Sequence, residues 1–174
     1  MTSMFYALAT ICLVTFALVL KKTSGKSEQP KNQDLQYQQV NSLITPTEKK
    51  FLDTLDQVVD NRARVFSMVR VADVIKPKKS LDKSHRHRLF LKTSQKHFDF
   101  VLCDPKTLKL LCVIELNDKS HQRKDRKERD QFLLDACETA NLALYFIPVS
   151  NSYDTNKILE LIDQHLPVQL KQVS

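Results

Sequence analysis

HFDFVLCDPKTLKLLCVIELND, residues 97–118, is two apolar runs around a short polar turn, and each run carries one carboxylate: Asp99 in the first, Glu115 in the second. The runs read as strands from about Phe98 to Cys103 and from Leu110 to Leu116, joined as a hairpin at Asp104-Pro105. Alternation puts His97, Asp99 and Val101 on one face and Phe98, Phe100 and Leu102 on the other, while Glu115 and Asn117 point the same way. Pairing of the strands then brings Asp99 and Glu115 close together near a strand end. Two neighbouring carboxylates repel, and desolvation penalises both charges. A bound Mg²⁺ or Mn²⁺ relieves that conflict, because hard cations take oxygen ligands and commonly use one or two carboxylates with water. Such an ion acidifies a water and stabilises charge on a phosphodiester, so metal-assisted phosphodiester hydrolysis is one expectation. The plainer alternative is that either acid ends its strand facing solvent.

Elements on both sides of the hairpin follow from local signals. In LITPTEKKFLDTLDQVV, Thr45 suits an N-cap, Pro46 the first helical position and Glu48 the third position of a capping box. Phe51, Leu52, Leu55, Val58 and Val59 then recur at helical spacing. RVFSMVRVADVI reads as a strand running into a short turn or helix. KPKKSLDKSHRHR reads as a basic loop over residues 76–88, and RLFLKTSQ as a short helix. After the hairpin, Phe132, Leu133, Ala136 and Cys137 share one face of a helix that starts in a charged run, and LALYFIPV is a last core strand. A C-terminal helix carries Ile158, Leu161, Ile162 and Leu166 to cover the sheet. The expected class is α/β, a mixed sheet flanked by helices.

The N-terminal segment differs in kind. Met4 to Leu20 is uncharged and apolar apart from two threonines, near the lower length for a bilayer-spanning helix. Lys21 and Lys22 follow it and no Lys or Arg precedes it, which orients the C-terminal side to the cytoplasm. A cleaved signal peptide is the competing reading, and it lacks a charged n-region and a small-x-small cleavage site. The expected organisation is a transmembrane anchor over 1–22, a flexible polar linker over 23–42, a folded domain over 43–168 and a tail over 169–174. Outside the anchor, Cys103, Cys112 and Cys137 form no C-x-x-C pair, as suits reduced core thiols. The single glycine, Gly25, excludes glycine-rich phosphate loops. A net charge of +7 favours anionic partners, either nucleic acid or an acidic lipid surface.

FDFVLCDP followed by VIELND resembles the PD-(D/E)XK, or restriction-endonuclease-like, nuclease superfamily, and the order of elements around it is similar to that superfamily's core. The longer stretch from Leu43 to Pro148 looks like a bacterial domain family of unassigned function grouped with these nucleases. The motif IELND-x-x-H, Ile114 to His121, also resembles the very-short-patch-repair endonuclease branch. The resemblance implies that Asp99 and Glu115 are metal-binding acids and that Glu48 matches an acid some members place on the first helix. It also implies that His121 positions or protonates a phosphate oxygen. Where the motif has a lysine two residues after the second acid, this chain has Asn117. Lys96, Lys119 or His121 are the candidates to supply that function. Glu48 also has a purely structural explanation in the capping box, and His121 could cap a helix.

Of two basic stretches, residues 76–88 carry little acid and suit salt-sensitive, sequence-independent phosphate contacts, or anionic lipid. RKDRKERD is interleaved with acids and reads as a salt-bridged helix face. The expectation is a DNA- or RNA-binding, Mg²⁺- or Mn²⁺-dependent nuclease-like domain, anchored in a bacterial inner membrane through residues 4–20 with its domain in the cytoplasm. The alternatives are a catalytically inactive nuclease-fold module that binds nucleic acid or anionic lipid, and a tethered domain that binds a protein partner.

Overall fold

A computed structural model describes residues 35–118 and 124–168 of the chain, which divides into two compact units at Val40/Asn41. The expected anchor over residues 4–20, the sequence around His121 and the tail over 169–174 lie outside the described residues. Among the described residues, no helix is long and apolar enough to cross a membrane.

The larger unit opens with α1, Pro46–Val59, where every expected capping element is present. Glu48 donates its N–H to the Thr45 side chain, and the Glu48 carboxylate takes the Thr45 N–H in return. Strand β1, Arg64–Arg70, runs straight into the short helix α2, Val71–Val74. Helix α3 spans Lys83–Ser94, and β2, His97–Cys103, and β3, Leu110–Asn117, form the hairpin. Helix α4, Lys124–Thr139, leads to β4, Ala143–Pro148, and α5, Thr155–Ile162, continues as one 3₁₀ turn over Asp163–His165.

The sheet order is β1-β2-β3-β4, with antiparallel pairs β1/β2 and β2/β3 and a parallel pair β3/β4. The parallel pair follows from the α4 crossover, since only antiparallel neighbours can be joined by a tight turn. The architecture is therefore a mixed α/β sheet with helices on both faces. One core joins Phe51 and Leu55 of α1 and Ile158 and Ile162 of α5 to Phe100, Leu102, Cys112 and Ile114 of the sheet. The other joins Val71 of α2 and Leu133 and Cys137 of α4 to Phe98, Val101, Cys103 and Val113. The near-continuous apolar reading of β3 has this cause: the strand lies inside the sheet and is covered on both faces.

Three expectations need correction. Half of the basic loop over residues 76–88 is helical, because Asp82 caps α3 by accepting the His85 N–H at 2.9 Å. Leu161 is exposed rather than part of the covering face, which is made by Ile158 and Ile162 of α5 and by Leu166 just after the 3₁₀ turn. Phe98 packs in the same core as Val101 instead of with Phe100 and Leu102. Beside Phe98 the β1 ladder skips Asp99 and the β3 ladder has already ended at Phe100, so strict alternation fails there.

Candidate active site

Asp99 sits where two ladders break. On the β1 side, pairing runs Ser67↔Phe100 and then Val69↔Phe98, and Met68 between them has φ 55°, in the left-handed region. On the β3 side, the last paired residues are Phe100 and Ile114. Beyond them the Leu116 N–H donates to Asp99 Oδ2 at 2.7 Å, so a side-chain carboxylate takes a strand N–H. That bond holds the Asp99 carboxylate against β3, next to Glu115.

Glu115 is 1% exposed. Arg129 of α4 donates to its Oε2 at 3.0 Å, while Oε1 is buried with no hydrogen-bond partner among the described residues. Burial pushes the Glu115 carboxyl up to about 8; the Asp99 charge adds to the rise, and Arg129 with a hydrogen bond from the Asp99 backbone only partly offsets it. The two acids thus meet as the sequence suggested, and desolvation makes the meeting costly.

A cavity of about 370 Å³ opens on this pair, lined among others by Thr45, Glu48, Asp99, Glu115, Arg126 and Arg129. A second hollow of about 440 Å³ shares Glu48, Asp99 and Arg129 and adds Lys96 and His97 to its wall. The first helix therefore does bring Glu48 to the acids. Its Oε2 is engaged by the Thr45 N–H at 2.6 Å and the Thr45 hydroxyl at 2.8 Å, so both the capping explanation and the cavity position hold.

The other predicted residues fare unequally. Asn117, at the motif's lysine position, gives its carbonyl to the Val149 N–H at 2.8 Å, and its side-chain oxygen is buried without a partner among the described residues. Lys96 reaches the second hollow, but its Nζ donates to the Lys92 carbonyl at 2.8 Å and lies 5.5 Å from the Phe132 ring centroid. His97 is exposed at the mouth. His121 and Lys119 lie outside the described residues.

Arg126 and Arg129, read from the sequence as part of a salt-bridged helix face, are ion-paired, and they also line the acidic cavity, which that reading missed. Arg126 points its Nη1 to Asp118 at 3.5 Å, and Arg129 is in contact with Glu115. The signal was the apolar stripe of α4: extended one turn back from Leu133 and Cys137 it falls on Arg129, and three residues earlier on Arg126.

No group of three or more His, Cys, Asp or Glu placed to hold a metal occurs among the described residues. What the site offers a hard cation is two carboxylates held side by side, one of whose oxygens is buried without a donor. That set fits Mg²⁺ or Mn²⁺ completed by water and does not fit zinc, which favours nitrogen and sulfur donors. The thiols are no substitute: burial pushes Cys112 up to about 12 and, together with the Glu115 charge, Cys137 up to about 11.

Residues 40–166 match the family described as protein of unknown function (DUF2726), and the chain belongs to that family. The match is longer at both ends than the resemblance from Leu43 to Pro148. No curated protein and no solved structure matches the chain.

Proposed function

We propose that this DUF2726 chain is a metal-dependent phosphodiesterase of the PD-(D/E)XK kind, acting on nucleic acid. The observation that carries the reading is the meeting of Asp99 and Glu115 on one cavity wall, with a Glu115 oxygen left without a donor. The element order also supports it, since three antiparallel strands followed by a helix and a parallel strand agree with the core that the resemblance implies. The net charge of +7 suits a polyanionic substrate.

A divalent cation in such a site supplies Lewis acidity toward a phosphoryl oxygen and an acidified water. Asp99, fixed by the Leu116 N–H, and Glu115 would hold it, with Glu48 available from α1. Arg129 provides a fixed positive charge beside Glu115, in a site that lacks the motif's lysine, and would orient a phosphate oxygen. His121 keeps the part that the resemblance gives it, steadying or protonating a phosphate oxygen. The anchor over residues 4–20, with the domain on the cytoplasmic side of a bacterial inner membrane, belongs to the same proposal. The test is cleavage of DNA and RNA by the full chain with Mg²⁺ or Mn²⁺, beside Asp99→Ala. Loss of cleavage in the variant is the expected result, and equal activity in both proteins ends the catalytic claim.

A second reading is favoured by Asn117 and by the Arg129–Glu115 ion pair: a binding module that keeps the nuclease plan without cleavage. It predicts nucleic-acid affinity with no heat of divalent-cation binding in calorimetry.

A further inference from the structure

We propose that a groove formed by α2, the loop after it and α3 as far as Phe90 is a binding track for single-stranded nucleic acid, separate from the acidic cavity. The groove measures about 630 Å³, and its wall includes Lys76, Lys79, Lys83, Arg86, His87 and Phe90. The proposal rests on the nucleic-acid reading above and adds where the strand is held.

Four of these side chains are permanent cations. Lys79, Lys83 and Arg86 are exposed and make no ion pair among the described residues. The two nearest acids in sequence are already engaged: Asp73 binds Arg70 at 2.8 Å, and Asp82 caps α3. Lys83 and Arg86 stand three residues apart on one helix, a spacing at which like charges destabilise it. A cluster with that cost, in which among the described residues only Lys76 feels a nearby acid, Asp73, matches an external polyanion. Phe90, 42% exposed, sets an aromatic face among the cations. Cations that track a backbone, with a ring on which a base stacks, are the features by which single strands are bound without sequence preference. A lipid surface would meet a flat or convex patch, whereas these cations line a hollow. Past the other end of α3, Gln95, Lys96 and His97 form part of the wall of the second hollow, which shares Glu48, Asp99 and Arg129 with the acidic cavity. Lys83 and Ser94 are separated by one helix length, about 17 Å at 1.5 Å per residue. A strand of a few nucleotides spans that distance, so the track would feed the site.

The experiment is titration of a labelled, mixed-sequence single-stranded oligonucleotide with the full chain over a range of salt. The wild type should show log affinity falling with log salt at a slope of about −3, from four cations at about 0.7 each. The variant Lys79→Ala/Lys83→Ala/Arg86→Ala should lower that slope to about −0.7. Its thermal unfolding and its Mn²⁺ binding should match the wild type, because all three side chains are exposed and outside the acidic cavity. Phe90→Ala should weaken binding about tenfold with the slope unchanged. Oligonucleotide affinity equal in wild type and triple variant overturns the track, as does a triple variant that loses binding to anionic phosphatidylserine vesicles alone. Failure of the metal site reads differently: the wild type would then bind no Mn²⁺ while the salt-dependent strand binding persists.

Discussion

The β2–β3 hairpin carries an acid at each of its ends, and the two ends use it in opposite ways. At the closed end, Asp104 is spent on the turn: its Oδ1 accepts the N–H groups of Lys106 and Thr107 and the Thr107 hydroxyl. Those donors hold its carboxyl below the usual range, with the Thr107 backbone as the largest cause. At the open end, Asp99 and Glu115 face each other's charge, and burial drives Glu115 the other way, up to about 8. Asp104 has donors aimed at it, whereas at the open end Glu115 is buried beside a cavity with one oxygen lacking a donor among the described residues. A carboxyl whose ionisation is made this costly at a cavity wall is a functional candidate for that reason.

The contrast breaks first at catalysis. Asp99→Asn should lower metal-dependent cleavage by about 10²- to 10³-fold, the scale of losing one fixed electrostatic group, while Asp104→Asn leaves the rate unchanged. A comparable loss from both substitutions would remove the distinction between the ends.

Stability against pH tests the same contrast without any ligand. A carboxyl raised above its unfolded value near 4.5 contributes fully at lower pH, and that contribution drains away as pH climbs toward about 8. The metal-free wild type should therefore weaken across this window, by at most about 1.4 kcal/mol per pH unit. Denaturant unfolding of Glu115→Gln should show a flatter profile and a higher stability than wild type above pH 8. Asp104 has the opposite sign, with stability present at neutral pH and lost on acidification. Removing its three accepted bonds in Asp104→Ala should lower stability at pH 7 and leave the alkaline limb untouched.

A smaller effect sharpens the open end further. Arg129→Met should raise the pH at which Glu115 ionises, because the offsetting charge is gone. The expected change is a shift of the alkaline limb to higher pH, read by the same unfolding series.

Much of this hairpin was legible in the sequence because its signals are local. Alternation gave the strands, Asp104-Pro105 gave the turn, and the threonine, proline and glutamate at residues 45, 46 and 48 gave the start of α1. What the sequence could not show depends on tertiary packing. The run RKDRKERD has charge on every helical face, so its own pattern is silent, and only its phase with Leu133 and Cys137, which seat on the sheet, turns Arg129 inward. The start of α3 was hidden because KSHRHR has no apolar period, leaving Asp82 as its one local mark. Phe98 crossed to the other core where the β1 ladder skips Asp99 and the β3 ladder has ended at Phe100, and a local pattern does not report such breaks.

The most direct measurement is Mn²⁺ binding to the full chain at pH 8, followed by calorimetry or by the loss of free-ion electron paramagnetic resonance signal. Wild type should take up one ion per chain with release of a proton, and Asp99→Asn and Glu115→Gln should each abolish uptake. Uptake that is absent in the wild type, or unchanged in both variants, would contradict the claim that these two carboxylates are held together for a cation.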